Sequence, residues 1–170
     1  MLHTEMRKAT GLHNGASKIF DFLYIGSCQE AKNVDLLKKL GITHVINCAE
    51  GYINTSQKFY GSGIRYFGFE AEDDGFYDIM QHFEDVYRFI EEARVSGGKC
   101  FIHCIMGINR SGALSVAYVM LHKNVGPIAA SKFVQKARSC ILSNDTFQRQ
   151  LIAFARERNM LHLDNSQLKR

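Results

Sequence analysis

The stretch that decides the fold reads His103-Cys104-Ile105-Met106-Gly107-Ile108-Asn109-Arg110-Ser111-Gly112. An apolar run, Cys100 to Ile102, precedes it, and an apolar helical pattern from Ala113 to Leu121 follows it. That order predicts a buried strand, a tight loop and the first turn of a helix. A loop of this kind can turn its backbone N–H groups inward at a helix N-terminus, which makes a good binding site for a phosphate group.

The residue types in this loop indicate phosphoryl transfer. Cys104 is the candidate nucleophile, because a positive environment favours its thiolate form. Arg110 offers a planar fork that can hold two phosphate oxygens, and Ser111 would place a hydroxyl group near the sulfur. These residues predict a covalent cysteinyl-phosphate intermediate. The predicted phosphate-binding positions are Ile105, Met106, Gly107, Ile108, Asn109 and Arg110.

The pattern His103-Cys104-x5-Arg110-Ser111 resembles the signature of the cysteine-dependent protein tyrosine phosphatase superfamily. Its context resembles the atypical dual-specificity protein phosphatases, from about Phe22 to about Arg156. The matching segments include 23–26, 40–47 and 143–151. The resemblance implies an enzyme that removes phosphate from phosphotyrosine and from phosphoserine or phosphothreonine of proteins. It implies neither a metal ion nor a cofactor.

The resemblance also implies a general acid on an upstream loop, and such an acid contributes roughly 10²–10⁴-fold to the rate. In the family the acid precedes both the cysteine and an aromatic residue of the following helix at characteristic distances. Asp73, which lies 31 positions before Cys104 and ten before Phe83, fits best. Asp74 is the alternative.

Three further positions are singled out by the same resemblance. The ring of His103 could hydrogen-bond the backbone near Cys104, or His103 could be an ordinary core histidine. Asn144 matches a family position that contacts the cysteine loop and keeps it rigid, although Ser143 stands where the family usually has proline. Asn109 replaces the small serine or alanine that is common before the arginine.

Two other functions stay open at this point. Asn109 also resembles the residue found in RNA 5′-triphosphatases of the superfamily, so a non-protein substrate, an RNA 5′ end or a phosphoinositide, is an alternative. A phosphopeptide-binding pseudophosphatase is disfavoured because Cys104 and Arg110 are both present. Cys48 or Cys100 could trap an oxidised Cys104 as a disulfide, but the preferred interpretation of each is a plain core cysteine.

Composition sets the limits for these hypotheses. The chain has 170 residues, a net charge of +4 and 46% hydrophobic residues, as expected for one soluble globular domain. Its five cysteines form no Cys-x-x-Cys pair, which disfavours a zinc site. The charge is too small to predict a stable nucleic acid partner, and no apolar run predicts a membrane anchor. We therefore expect a phosphorylated protein as partner, and a cytoplasmic or nuclear location; the sequence does not indicate the oligomeric state.

Short apolar segments alternate with helical patterns along the chain. Strands are predicted at 22–25, 42–48, 64–69 and 100–102, and helices at 30–40, 78–94, 110–122 and from Pro127 and Asn144. This alternation predicts an α/β fold with a central, mostly parallel sheet of about five strands flanked by helices on both faces. The predicted organisation is an N-terminal segment 1–18, helical or partly flexible, a catalytic domain 19–160 and a C-terminal tail 161–170.

Overall fold

The computed structural model describes residues 15–167, and one five-stranded sheet lies at the centre of this range. The strands are β1 (Ser17–Phe20), β2 (Leu23–Gly26), β3 (His44–Asn47), β4 (Arg65–Gly68) and β5 (Cys100–His103). Their spatial order is β1-β2-β5-β3-β4. All neighbouring pairs are parallel except β1 with β2. The mostly parallel sheet predicted from the sequence is confirmed.

Eight α-helices cover the sheet within the described residues. They are α1 (Cys28–Lys32), α2 (Val34–Leu40), α3 (Gln57–Tyr60), α4 (Phe83–Val95), α5 (Arg110–Lys123), α6 (Pro127–Ala137), α7 (Asp145–Glu157) and α8 (His162–Gln167). Two short 3₁₀ turns lie at Gly61–Gly63 and Ile79–His82. Helices α1 to α3 contribute to one hydrophobic cluster, and α4 to α7 contribute to the other. The prediction of helices on both faces is therefore confirmed.

The three central strands are buried on both faces. Every residue of β2, β3 and β5 is buried, and neighbours along each strand alternate between the two clusters, as Tyr24 and Ile25 do. Gly26, Asn47 and His103 are paired in register at the carboxyl ends of these strands. The loops that follow the strands therefore meet at one edge of the sheet, where open parallel sheets usually bind ligands.

Two predicted helices are interrupted. The single helix expected at 30–40 is wrong, because Asn33 ends α1 and starts α2, and its side chain accepts a hydrogen bond from the N–H of Leu36. Asparagine favours such a cap over a mid-helix position. The helix expected at 78–94 begins with the 3₁₀ turn before α4. Strand β1 and the short helix α3 were not predicted.

The predicted division into three segments stays a prediction. The boundary at 18 falls inside β1, so Ser17 and Lys18 pair with β2 as part of the sheet. At the other end, the carboxylate of Asp164 in α8 accepts hydrogen bonds from the N–H groups of Ile128 and Ala129, 3.0 Å each, at the start of α6. The expectations for residues 1–14 and 168–170 lie outside the described residues. Between residues 15 and 167, no helix has the length and apolar character needed to cross a membrane.

Candidate active site

The loop between β5 and α5, residues 104–110, is called the phosphate loop here. Four consecutive carbonyl groups of this loop accept hydrogen bonds from the surrounding structure. The carbonyl of Ile105 accepts from the N–H of Cys28 at 2.9 Å, and that of Ile108 accepts from the N–H of Leu142 at 3.1 Å. The guanidinium of Arg138 donates to the carbonyl of Met106 at 3.0 Å and to that of Gly107 at 2.8 Å. The outer side of the loop is therefore fixed to three separate parts of the chain.

The inner side of the loop consequently presents backbone N–H groups. In a trans peptide the N–H points away from the preceding carbonyl, so the N–H groups of residues 106–109 face the concave side. The N–H of Gly107 donates to Sγ of Cys104 at 3.2 Å. Gly107 has φ +68°, and a Cβ there would overlap the carbonyl of Gly26, so only glycine fits.

Cys104 lies at the carboxyl end of β5, and only 2% of its surface is exposed. Its sulfur is 3.3 Å from Oγ of Ser111, where the sequence predicted a hydroxyl group. The ring of His103 donates from Nδ1 to the carbonyl of Cys104 at 3.0 Å, which is the contact that the sequence analysis considered. Burial lowers the pKa of His103 to about 4, so the ring is neutral near pH 7.

Arg110 begins α5 and is almost fully buried. Its Nη1 donates to the carbonyl of Ala71 at 2.9 Å, and its Cζ lies 5.9 Å from the ring centre of Tyr52. Its Nε is buried and has no hydrogen-bond partner. Buried polar groups are almost always paired, so this guanidinium has a donor to spare for an anion in the phosphate loop.

The acidic loop of residues 70–77 is called the acid loop here. It brings Asp73 to the phosphate loop, where Nδ2 of Asn109 donates to Oδ2 of Asp73 at 3.0 Å. Nδ2 of Asn144 donates to the other oxygen at 2.9 Å. The carboxylate of Asp74 instead accepts from the N–H groups of Phe76 and Tyr77 in its own turn, 2.8 Å each. This arrangement favours Asp73 over Asp74 as the general acid.

Three side chains at the start of α7 hold the acid loop. Asn144 donates to the carbonyl of residue 74 at 2.9 Å. Thr146 donates to the carbonyl of residue 75 at 3.0 Å, and Gln150 donates to that of residue 77 at 2.7 Å. Asn144 also contacts the phosphate loop, but it does so through its backbone N–H, which donates to Oδ1 of Asn109 at 3.0 Å. Asn144 therefore contacts both loops, the phosphate loop through its backbone and the acid loop through its side chain.

Sequence reasoning missed the roles of two residues in this site. Arg138 follows α6 and is only 2% exposed; burial lowers the pKa of its guanidinium, yet that guanidinium is the donor to two phosphate-loop carbonyls. Ser143 replaces the usual proline and donates from Oγ to Oδ1 of Asn109 at 3.1 Å. A lone arginine at a helix end gave no signal for the first role. The departure from proline at Ser143 was noted in the sequence analysis, but its contact with Asn109 was not predicted.

The two other cysteines considered in the sequence analysis are core residues. Cys48 and Cys100 are fully buried free thiols, and burial raises the pKa of both well above the usual value. Both therefore stay protonated near neutral pH. A disulfide between either of them and an oxidised Cys104 stays an untested hypothesis, and the preferred interpretation of core packing agrees with their burial.

Comparisons with known proteins agree with this geometry. Residues 23–157 match the family of dual specificity phosphatase catalytic domains. Dual specificity protein phosphatase 26 of Homo sapiens is 39% identical over 145 residues, which cover 84% of this chain and 68% of the relative. Dual specificity protein phosphatase 13B of Homo sapiens is 37% identical over 150 residues, with coverages of 86% and 75%. The crystal structure of DUSP15 superimposes with a TM-score of 0.76 at 30% identity, covering 84% of this chain and 88% of that one.

Proposed function

Because this chain belongs to the dual specificity phosphatase family, we propose that it dephosphorylates phosphotyrosine and phosphoserine or phosphothreonine of proteins through a covalent intermediate on Cys104. One observation carries the assignment of the site. The four outward-bonded carbonyl groups of residues 105–108 leave a ring of N–H donors around the sulfur of Cys104. Such a ring suits the charge of a phosphate group.

The proposed reaction has two steps. In the first, the thiolate of Cys104 attacks phosphorus, the bond from phosphorus to the ester oxygen breaks, and Asp73 gives that oxygen a proton. In the second, water attacks the cysteinyl-phosphate, Asp73 takes a proton from the water, and the sulfur leaves as a thiolate. Ser111, whose hydroxyl group lies 3.3 Å from the sulfur, can donate a hydrogen bond to it at this point.

Arg110 would contact the substrate directly and hold two oxygens of the phosphate with its guanidinium, whose Nε has no other partner. The other supporting residues act on geometry rather than on the reacting atoms. His103 fixes the carbonyl of Cys104, and Asn144 connects the phosphate loop to the acid loop. Together they would present the phosphorus to the sulfur on one side and to Asp73 on the other.

The charges around the site favour a phosphoprotein over the alternative substrates. The acid loop carries the exposed carboxylates of Glu70, Glu72 and Asp73 beside the phosphate loop, and Tyr52 holds Glu72 through its hydroxyl group at 2.7 Å. These negative charges would repel a polyanion such as an RNA 5′ end or a phosphoinositide. A peptide with a single phosphate group brings fewer negative charges to these carboxylates than such a polyanion does.

A cytoplasmic or nuclear location also belongs to this proposal. The mechanism needs a free thiol at Cys104, and the five cysteines, all within the described residues, are free. A reducing compartment suits that chemistry.

The decisive experiment traps the phosphoenzyme. The purified chain is mixed with ³²P-labelled phosphotyrosyl peptide in the presence of a chelator and denatured rapidly, and the labelled residue is mapped. We expect label on Cys104, none in Cys104→Ser, and retained binding of phosphate by that variant. A parallel assay compares phosphopeptides with 5′-triphosphorylated RNA and a phosphoinositide. Label elsewhere, or a reaction that the chelator stops, would overturn the mechanism; faster turnover of RNA or lipid would overturn the substrate class.

A further inference from the structure

We infer that the side chain of Asn109 is a positioning residue for the general acid, holding Asp73 above the phosphate loop; this inference rests on the proposed function. Its Nδ2 donates to Oδ2 of Asp73 at 3.0 Å, although the two residues lie 36 positions apart. Asn109 directly precedes Arg110. The acid is therefore attached to the same loop that would hold the phosphate.

The orientation of the Asn109 amide is fixed by its other partners. The backbone N–H of Asn144 can only donate, and the atom of Asn109 that lies 3.0 Å from it must be the acceptor Oδ1. Ser143 supplies a second contact to Oδ1, from Oγ at 3.1 Å. The other end of the amide is therefore the NH₂ group, and it faces Asp73.

A shorter side chain could not make this connection. Serine or alanine at 109 has no amide to span the gap between the N-terminus of α7 and the acid loop. Asn144 would still hold Oδ1 of Asp73 at 2.9 Å, but Oδ2 would lose its contact with the phosphate loop. The carboxyl group would then be free to rotate away from the leaving oxygen.

The loss of this contact should depend on the leaving group. A poor leaving group such as phenoxide needs a proton as the phosphorus–oxygen bond breaks, whereas p-nitrophenoxide needs it much less. The ratio kcat/KM reports only this first step, whereas kcat also contains the second step, in which Asp73 serves both substrates alike. A change that misplaces only Asp73 should therefore lower kcat/KM more for phenyl phosphate than for p-nitrophenyl phosphate. A change that distorts the phosphate loop should slow both substrates equally and should raise KM.

The experiment measures kcat and KM for both substrates in three variants. Asn109→Ser removes the amide, and Asn109→Asp keeps an acceptor for Asn144 but replaces the donor with an oxygen that repels Asp73. Asn54→Ser, at an exposed position, is the matched control. For phenyl phosphate we expect kcat/KM to fall about tenfold in Asn109→Ser and about 100-fold in Asn109→Asp, the range for a hydrogen bond to a charged group. For p-nitrophenyl phosphate we expect kcat/KM to fall less than about threefold in Asn109→Ser.

Two results would overturn the inference. One is an equal loss of kcat/KM on both substrates; since the two values are compared within one sample, a partly folded variant cannot imitate a selective loss. The other is a full further loss when Asn109→Ser is added to Asp73→Ala, because a residue that acts through Asp73 has no effect once Asp73 is gone. Failure of the proposed function is distinguishable, since the unmodified chain would then form no phosphoenzyme with either substrate.

Discussion

The phosphate loop and the acid loop are built in different ways. The phosphate loop is held through its own carbonyl groups, two of which accept from backbone N–H groups and two from the buried guanidinium of Arg138. Gly107 has a conformation that only glycine fits, and Cys104 is buried. The acid loop is exposed and is held by side chains from other elements, among them Asn109, Asn144 and Thr146.

This difference predicts how each loop responds to change. An atom added to the main chain of the phosphate loop would displace several buried bonds together, because the interior is closely packed. Such a change should therefore abolish activity abruptly. The acid loop has several separate side-chain bonds, each worth about 1 kcal/mol. Its contribution to the rate should therefore decline in steps.

The largest effect is expected from Gly107→Ala. The new methyl group would meet the carbonyl of Gly26 at a positive φ, and we expect kcat/KM to fall by more than about 10³-fold. Gly61→Ala is the matched control, because Gly61 also has a positive φ, +69°, but has nothing within 4 Å of the added atom. Its ψ of −159° belongs to a region that essentially only glycine adopts, so we expect the alanine to cost about 1–3 kcal/mol of stability without slowing turnover. Equal losses in both variants would show that strain alone matters.

The next effect concerns His103 beneath the phosphate loop. Its pKa is lowered to about 4 by burial, against an ordinary value of 6.5, so the unfolded chain binds more protons between these limits. The free energy of unfolding should therefore rise with pH across this window, and the contribution of His103, roughly 3 kcal/mol, should be fully present above it. Urea unfolding at pH 7 and pH 4.5 would measure it. The loss on acidification should shrink in His103→Asn and persist in the surface variant His162→Asn.

On the acid loop, Asp73→Ala and Asp74→Ala form a matched pair. We expect Asp73→Ala to lower kcat about 100-fold, in keeping with the loss of a general acid. Asp74→Ala should lower it less than about tenfold, because that carboxylate accepts only from the N–H groups of its own turn. Steady-state rates with phenyl phosphate give the comparison. A larger loss in Asp74→Ala would show that the acid is assigned to the wrong residue.

Arg138→Met tests the support of the phosphate loop from outside. Two carbonyls would lose a charged donor inside the protein, and we expect the free energy of unfolding to fall by about 2 kcal/mol and kcat to fall about tenfold. Denaturant melts and rates should be measured beside Arg156→Met, whose site is exposed on α7. Unchanged activity in Arg138→Met would mean that the loop keeps its shape without this cation.

The smallest effect is expected from Thr146→Val. It removes the bond from Oγ1 to the carbonyl of Gly75 at 3.0 Å and the exposed bond that Arg149 donates to Oγ1 at 3.2 Å. The bonds that Asn144 and Gln150 make to the acid loop remain. We expect the free energy of unfolding to fall by less than about 1 kcal/mol and kcat to fall by less than about threefold. A loss as large as that of Asp73→Ala would contradict the stepwise behaviour of the acid loop.

Much of this protein follows from local sequence. The alternation of apolar segments and helical patterns indicated the parallel sheet, because side-chain periodicity reflects which faces are buried. The order Cys104, Gly107, Arg110 and Ser111 indicated the phosphate loop, because strand, turn and helix N-terminus are adjacent in the chain. The family resemblance then pointed to Asp73, which the structure brings to that loop.

Contacts between distant parts of the chain were decided only by the tertiary structure. The guanidinium of Arg138 reaches the carbonyls of Met106 and Gly107 across 31 or more positions, and nothing in the sequence around Arg138 marks that role. The choice between Asp73 and Asp74, and the bond from Asn109 to Asp73, depend on how the acid loop docks on α7. Local residue patterns report burial and backbone conformation, but which side chains meet across a folded edge depends on packing that no short segment contains.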